Sequence, residues 1–240
     1  MNDLSFIITT YEDFPRLERL CKELLSVGYA PEKISVLSDG DKNKEIWRLC
    51  RKNGLHYHYF ENSYSLSSGF RFWRNVFEVF DKNKSEFLIK LDTDVKVNRY
   101  LQESLSPDFD NSMFGTLCGK KIEQISFIQN GVRGFHKSVI ENIKNSPLYE
   151  DDEFFSEAFS KSQRFNSTKR LERGLISTEF TMWKLASIMS LKLKNHPAIC
   201  SYWKRPEGEV FYGDNQFVSK ENFEKLSLNA AFVHPFLDEK

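Results

Sequence analysis

The chain of 240 residues lacks net charge, long apolar runs and targeting signals. Its 34 Lys and Arg residues balance 34 Asp and Glu residues, so the long-range field that attracts nucleic acid or anionic membranes is absent. No segment approaches the roughly 18 apolar residues of a membrane span. The start at Met1 has neither the basic residues nor the apolar run of a signal peptide. We therefore expect a cytoplasmic protein, or a segment of a larger one, with no nucleic-acid partner and no integral membrane segment.

The sequence also lacks motifs that define common enzyme classes. Its four cysteines lie far apart and never form a CxxC pair, which argues against a zinc ribbon or a dithiol redox site. It contains neither a GxxxxGK[ST] phosphate loop nor a GxGxxG dinucleotide fingerprint. These absences exclude P-loop kinases and Rossmann dehydrogenases.

What the sequence does contain is a globular core, with 40% hydrophobic residues and 22 phenylalanines. Apolar and β-branched runs predict strands over residues 4–10, 34–37, 56–60 and 87–91, and helical spacing predicts helices from about residues 17–25, 44–53 and 68–80. This alternation predicts an α/β fold, with a mainly parallel central sheet and helices on both faces. Ligands of such sheets bind at the carboxyl ends of the strands.

The second half of the chain is less regular. Short apolar runs over 113–118 and 125–128 precede predicted helices near 137–143 and 179–191 and a strand near 198–202. No repeat or linker divides the sequence, so we predict one domain over residues 1–240. Within it, we distinguish a regular half, residues 1–105, from a less regular half, residues 106–240, of the kind that usually shapes specificity.

The carboxylates of Asp92-Thr93-Asp94 are the centre of the functional prediction. The same DxD spacing occurs at Asp39-Gly40-Asp41 and at Asp108-Phe109-Asp110, so the spacing alone discriminates nothing. Asp92, however, ends a predicted buried strand, which places both its carboxylate and that of Asp94 at the ligand-binding edge of the sheet. Paired carboxylates there suit a bridging Mn²⁺ or Mg²⁺ that completes its shell with substrate phosphates. The alternative is that they are turn or helix-capping residues.

The string FLIKLDTDVKVN over residues 87–98 resembles glycosyltransferases of the GT-A fold. In particular it is similar to the β-1,3-glycosyltransferases, which carry a lysine, a short acidic triplet, a valine and an asparagine in this order. Lys90, Asp92 and Asp94 fall on this pattern, whereas Thr93 replaces the third Asp that the family commonly has. The resemblance implies a GT-A-like single domain that binds a nucleotide sugar and a divalent metal ion. It also implies that residues 1–105 form the nucleotide-binding half and residues 106–240 the half for the donor sugar and the acceptor.

Other segments add nucleotide-binding candidates by the same resemblance. The string from Phe6 to Tyr11 is similar to the first strand of these enzymes, whose end, here Thr9, Thr10 and Tyr11, meets the nucleotide. Asp39 after the second strand matches their base-reading acidic position, where a carboxylate accepts the N3 proton of uracil. Arg71 and Arg74 lie on one face of the helix before the DxD strand, and Arg71 is our choice for contacting the diphosphate. Ordinary turn, packing and surface roles remain alternatives for these residues.

Sugar transfer with inversion requires a base that takes the proton of the acceptor hydroxyl. We assign this role to Glu179, because the acidic residue, helix and strand that begin there are similar to the catalytic motif of the family. This chain has Glu179-Phe180 where the family often has Glu-Asp. A glutamate that favours the helix dipole is the alternative interpretation. Asp151 and Asp152, in a cluster of four consecutive acidic residues, are retained as alternates.

Two late segments complete the predicted site. His234 is the only polar side chain in the string from Ala230 to Phe236, which is similar to the late histidine that some GT-A enzymes use as a further metal ligand; a packed histidine is the alternative. The segment from Gly131 to Ser138 resembles a small-residue loop that lets the donor sugar approach the backbone. A plain turn explains its glycines equally well.

The sequence therefore predicts a metal-dependent, inverting glycosyltransferase that uses Mn²⁺ or Mg²⁺, a nucleotide-sugar donor, most simply a UDP-sugar, and a saccharide acceptor. A nucleotidyltransferase is the alternative among enzymes, although the Gly-rich, basic phosphate loop of those enzymes is missing. A non-catalytic carbohydrate-binding or assembly module with the same fold is the alternative from another class. Donor hydrolysis distinguishes them.

Overall fold

Four parallel strands form one half of the central sheet in the computed structural model. The structure describes residues 3–10, 13–40, 42–61, 70–101, 105, 107–122, 125–154, 178–204, 210–212, 216–218, 225 and 227–234. The parallel strands are β1 (Leu4–Thr10), β2 (Ile34–Asp39), β3 (His56–Phe60) and β4 (Phe87–Asp92). They lie in the spatial order β3-β2-β1-β4, so the ends of β1, β2 and β4 share one edge.

Helices connect these strands as the apolar spacing predicts. They are α1 (Phe14–Ser26), α2 (Lys44–Asn53) and α3 (Arg71–Asn83). Asn43 caps α2 by accepting hydrogen bonds from two backbone N–H groups, and Gly54 ends this helix in the left-handed region at φ 71°. Since each helix returns the chain from the carboxyl edge to the amino edge, α3 begins at the same edge as the end of β4.

An antiparallel hairpin extends the sheet beyond β4, and this corrects the sequence interpretation. Strands β6 (Met113–Ile122) and β7 (Ile125–His136) are longer than the predicted runs. Positions 131–136 belong to β7, and positions 132–136 pair antiparallel with β4. The stretch expected to be a small-residue loop is therefore strand, interrupted by register shifts between β6 and β7.

The rest of the central sheet confirms the predicted fold class. The short strand β8 (Leu193–Asn195) pairs parallel with β6 and completes the seven-stranded order β3-β2-β1-β4-β7-β6-β8. Helices α4 (Lys137–Lys144) and α5 (Thr178–Ile188) follow the chain order of the prediction. The result is an α/β fold with a mainly parallel central sheet.

A second sheet places the last described strand of the chain close to the end of β4. Its strands are β5 (Lys96–Val97), β9 (Ile199–Lys204), β10 (Val210–Tyr212), β11 (Gln216–Val218) and β12 (Phe232–His234), in the order β11-β10-β9-β12-β5. Because β5 begins two residues after Asp94, its antiparallel pairing with β12 brings the last described residues next to the carboxylates.

The core lies on both faces of the central sheet. Alternate residues of the buried strands point to opposite faces, so Phe6 and Ile8 pack with α1 and α2, whereas Ile7 and Leu88 pack with α3, α4 and α5. Among the helices of the described ranges, none is long and apolar enough to cross a membrane.

Cys21, Cys50 and Cys200 are free, buried thiols. Burial raises the pKa of each thiol to about 12, so these side chains stay neutral and act as small apolar core residues.

Candidate metal and nucleotide site

Asp92 ends β4 at the carboxyl edge of the sheet, where two neighbouring side chains engage it. Thr9 Oγ1, at the end of β1, lies 3.2 Å from Asp92 Oδ1. Lys90 Nζ donates a hydrogen bond to the same oxygen, and the Lys90 side chain is only 1% exposed. The alternation of the strand places Lys90 and Asp92 on the same face, so the sequence Lys-Leu-Asp builds this ion pair locally.

The surroundings of Asp92 keep it ionised. Burial by itself would raise the pKa of this carboxyl, but the charges of Lys90 and His234 and the hydrogen bonds from Lys90 and Thr9 outweigh burial and lower the pKa below its ordinary value. Asp92 is therefore a carboxylate at neutral pH and can bind a cation without first losing a proton.

His234 reaches the site through the pairing of β12 with β5. Phe232 lies opposite Val97 and Val233 opposite Lys96, which places the next side chain beside the turn that contains Asp94. His234 Nε2 lies 3.2 Å from Asp94 Oδ1. The Asn98 side chain fastens this junction by donating to the carbonyls of Ser227 and Ala230.

The backbone of Gly131 supports the other side of the imidazole ring. Gly131 has φ +82°, and a Cβ atom there would lie 2.1 Å from Cγ of His234. Only a residue without a side chain allows the ring to lie this close to β7. His234 Nδ1 is buried and has no hydrogen-bond partner among the described residues, so the ring is placed by packing and by its contact with Asp94.

The three side chains fit a divalent cation. One ligand atom from each of Asp92, Asp94 and His234 lies within 4.8 Å of the others. Two carboxylates and an imidazole suit Mn²⁺, and the carboxylates also suit Mg²⁺, with the remaining positions open to water or phosphate oxygens. The absence of a Cβ at Gly131 lets the ring lie close to the carboxylates, with Nε2 facing Asp94.

Helix α1 braces the turn that carries the carboxylates, a role that sequence reasoning missed. One guanidinium nitrogen of Arg19 donates to the backbone carbonyls of Thr93 and Val95, each at 3.2 Å. Glu23 Oε2 accepts a hydrogen bond from the Val97 N–H at 2.8 Å. In the sequence these residues are an ordinary charged pair at i and i+4, because nothing local indicates which loop lies opposite the helix.

The other predicted nucleotide-binding residues lie on the same edge or outside the described residues. Thr10 ends β1 and Asp39 ends β2; both are buried, and Thr10 pairs in register with Ser38. Arg71 is exposed at the start of α3. Tyr11 lies outside the described residues. The fold thus brings together five of the predicted site residues: Thr9, Lys90, Asp92, Asp94 and His234. It places three others, Thr10, Asp39 and Arg71, at the same edge of the sheet. The contacts of all these residues with a nucleotide stay predictions.

The acidic alternates for the catalytic base have other partners in this structure. Asp152 Oδ1 lies 2.6 Å from Arg74 Nη2, and Asp151 Oδ1 accepts a hydrogen bond from the Phe154 N–H at 2.8 Å. Glu179 is the second residue of α5, and its side chain lies outside the described part of the chain. The assignment of the base to Glu179 stays a prediction.

A second cluster of potential ligands lies at the opposite edge of the sheet. It consists of Glu86, Asp110 and His136, again with ligand atoms within 4.8 Å of one another. His136 caps α4, because its Nδ1 accepts a hydrogen bond from the Ser138 N–H at 3.2 Å. This cluster starts one residue before β4, about 20 Å along the strand from Asp92, and is separate from the carboxyl edge of the sheet.

Comparison with known proteins gives the class of fold. No protein-family model matches the chain, and no curated protein matches it in sequence. Its structure is similar to that of an active-site mutant of the glycosyltransferase LgtC, with 10% identity, 98% of this chain and 88% of that chain covered, and a TM-score of 0.58. The chain therefore has a GT-A-like glycosyltransferase fold, as the sequence resemblance predicts.

Two further similar structures have lower TM-scores, and the assignment of the fold does not depend on them. One is a glycosyltransferase involved in the glycosylation of the major capsid of PBCV-1, with 12% identity, 97% of this chain and 93% of that chain covered, and a TM-score of 0.46. The other is the mannosyltransferase PcManGT from Pyrobaculum calidifontis in complex with GDP-Man and Mn²⁺. It has 10% identity, 81% of this chain and 55% of that chain covered, and a TM-score of 0.47.

Proposed function

We propose that this protein is a metal-dependent, inverting glycosyltransferase that transfers a sugar from a nucleotide sugar, most simply a UDP-sugar, to a hydroxyl of a saccharide acceptor. The convergence of Asp92, Asp94 and His234 carries the proposal, because their ligand atoms lie within 4.8 Å of one another at the carboxyl edge of the sheet. Parallel α/β sheets bind their ligands at this edge. The GT-A-like fold supports the same class of reaction by analogy.

The charge at this edge calls for a cation between protein and diphosphate. Asp92 and Asp94 are two carboxylates in one cluster, and a diphosphate next to them would be repelled. A bound Mn²⁺ or Mg²⁺ supplies the positive charge that stabilises the departing diphosphate. Asp92, Asp94 and His234 are the residues that would hold it.

The remaining roles come from the family resemblance and are part of the proposal. Asp39, at the end of β2, would read the nucleotide base, and Arg71, at the start of α3, would contact the diphosphate. In the proposed transfer, Glu179 takes the proton of the acceptor hydroxyl. The hydroxyl oxygen then forms a bond to the anomeric carbon of the donor sugar, and the bond between that carbon and the diphosphate oxygen breaks. Attack on the face opposite the diphosphate inverts the anomeric centre.

Donor hydrolysis tests the proposal without knowledge of the acceptor. The wild-type protein is incubated with a panel of UDP- and GDP-sugars, with and without Mn²⁺, and release of the nucleoside diphosphate is measured. We expect slow release that requires Mn²⁺ and is lost in Asp94→Asn. Asp108→Asn, from another DxD triplet, is the matched control and keeps the activity.

Other outcomes of the same assay identify the alternatives. Binding of nucleotide sugars without turnover under every donor indicates a non-catalytic carbohydrate-binding module. In a parallel incubation with a nucleoside triphosphate and a sugar phosphate, release of pyrophosphate indicates a nucleotidyltransferase. Either result contradicts the proposed transfer reaction, whether or not the Asp94→Asn variant gives the same result.

The assignment of the base is tested separately once an acceptor is known. Glu179→Gln keeps size and hydrogen bonding but removes basicity, so transfer falls by roughly 10²- to 10⁴-fold while Mn²⁺-dependent UDP affinity stays nearly unchanged. Asp151→Asn and Asp152→Asn are the controls. Near-normal transfer by the Glu179 variant, with loss of transfer in a control, moves the base to the acidic cluster.

A further inference from the structure

Lys90 is a fixed positive charge inside the candidate metal site. Its side chain is 1% exposed, and Nζ donates to Asp92 Oδ1, the same oxygen that contacts Thr9. Nζ also lies 6.0 Å from the ring centroid of Phe72 on α3. Because the sheet and α3 enclose the side chain, the ammonium group cannot swing into solvent when another cation arrives.

At this position, Lys90 weakens the binding of any divalent cation to the carboxylates of Asp92 and Asp94. Lys90 neutralises one of the two carboxylate charges of Asp92 and Asp94, so a cation entering the cluster meets about half of the charge that the carboxylates alone would offer. A buried like charge a few ångströms away also repels the cation with little screening. The negative charges of a diphosphate reverse this balance, since they attract both the cation and Lys90.

We propose that Lys90 is an internal counter-ion that prevents Asp92, Asp94 and His234 from binding a divalent cation tightly in the absence of a second ligand. The cation is then retained only together with a ligand that carries at least two negative charges, such as a nucleoside diphosphate. The inference rests on the proposed function, because it takes Asp92, Asp94 and His234 as the metal ligands. It adds that the lysine sets the strength of coupling between the two ligands. By linkage, the factor by which UDP strengthens Mn²⁺ binding equals the factor by which Mn²⁺ strengthens UDP binding.

The test measures Mn²⁺ binding to the whole chain by electron paramagnetic resonance of free Mn²⁺, with and without saturating UDP. In the wild type, Mn²⁺ binds about tenfold or more weakly without UDP than with it. Lys90→Gln keeps a hydrogen-bond donor but removes the charge, so it binds Mn²⁺ alone about tenfold more tightly than the wild type and shows a smaller effect of UDP. Lys90→Arg keeps the charge and behaves like the wild type.

Lys82→Gln is the matched control, because it removes the same charge from an exposed pair with Glu78 on α3 and leaves both affinities unchanged. Weaker or unchanged Mn²⁺ binding in Lys90→Gln overturns the proposal. An equal loss of Mn²⁺ affinity in the Gln and Arg variants also overturns it, because Lys90 would then only support the position of Asp92. If Lys90→Gln does not fold, equal Mn²⁺ affinity of the wild type with and without UDP still overturns it.

The same titration separates this inference from the proposed function. If the wild type binds no Mn²⁺ even with UDP present, the metal-dependent transfer reaction itself is wrong. If the wild type binds Mn²⁺ with UDP and Lys90→Gln gains no affinity for Mn²⁺ alone, only the role of Lys90 is wrong.

Discussion

At the scale of single residues, the imidazole of His234 owes its position to a residue without a side chain. The ring lies against the backbone of Gly131 on one side and contacts Asp94 on the other. The left-handed backbone of Gly131, at φ +82°, adds a second reason for glycine. The third potential ligand of the cluster is thus specified by two positions about a hundred residues apart in the sequence.

We expect Gly131→Ala to displace the ring of His234 and to weaken Mn²⁺-dependent UDP binding as much as His234→Ala does. The added Cβ would lie 2.1 Å from the ring, so the histidine must move or β7 must shift. The substitution also lowers the free energy of unfolding by about 1–3 kcal/mol through backbone strain. Calorimetric titration of UDP with Mn²⁺ and thermal denaturation measure both effects.

A double-mutant cycle shows whether Gly131 acts through His234. In the His234→Ala background the ring is absent, so Gly131→Ala causes no further loss of UDP affinity and a smaller loss of stability. Gly28→Ala is the matched control, because Gly28 also has a positive φ, +98°, but nothing lies within 4 Å of the added Cβ. Additive losses of affinity in the double variant would contradict the contact with His234.

Asp39 provides a second test at this scale. Asp39→Asn replaces the carboxylate that is proposed to accept the N3 proton of uracil with an amide, so UDP affinity falls about tenfold while the fold is retained. Isothermal titration with UDP in the presence of Mn²⁺ measures the effect, and circular dichroism checks the fold. Unchanged affinity means that the base is read by another residue.

At the scale of secondary-structure elements, α1 holds the turn that carries the carboxylates. Arg19 and Glu23 are one helical turn apart and together contact three backbone groups between residues 93 and 97. These contacts replace hydrogen bonds that an isolated turn would make with water. The helix therefore fixes where Asp94 points, although it contributes no ligand.

Removal of this brace is expected to affect metal binding and stability together. Arg19→Met keeps much of the aliphatic packing but leaves the carbonyls of Thr93 and Val95 without this donor. Mn²⁺-dependent stabilisation by UDP falls severalfold, and the free energy of unfolding falls by about 1–2 kcal/mol. Lys22→Met, which removes an exposed charge from the same helix, serves as the control in a thermal-shift titration. Equal behaviour of the two variants would show that the brace has no role in the site.

The elements also show what the sequence predicts well and what it does not. The bounds of α2 and β3 agree with prediction because their signals are local: a capping Asn43, a left-handed Gly54 and short apolar runs. The sequence wrongly predicts a loop around Gly131, which lies in strand β7. A glycine with positive φ at a register shift carries the same local sequence signal as a turn. Long-range pairing, not composition, decides between the two.

The residues of the site also differ in whether their positions can be predicted from local sequence. Asp92 and Asp94 are identified from the end of a buried strand, which is a local feature. The proximity of His234 to Asp94 depends on the pairing of β12 with β5, more than a hundred residues apart, and only the family resemblance indicated it. The brace by Arg19 has no signal in the sequence, because its acceptors are backbone carbonyls that any residue provides.

At the scale of the whole molecule, the candidate site lies where two sheets meet. The central sheet contributes Thr9, Lys90 and Asp92 from β1 and β4, and the second sheet contributes His234 from β12. The turn with Asp94 connects the two through β5. Because each ligand comes from a different part of this junction, the cluster depends on the correct docking of the two sheets, and its geometry reports on the entire fold.

The position of the metal ion tests the central claim most directly. Crystals grown with UDP and Mn²⁺ are measured at the manganese absorption edge, and the anomalous difference density locates the ion. We predict one peak at about 2.0–2.3 Å from an atom of each of Asp92, Asp94 and His234, and in contact with the diphosphate. UDP bound without a peak at these residues, or a peak only at the Glu86, Asp110 and His136 cluster, would contradict the account.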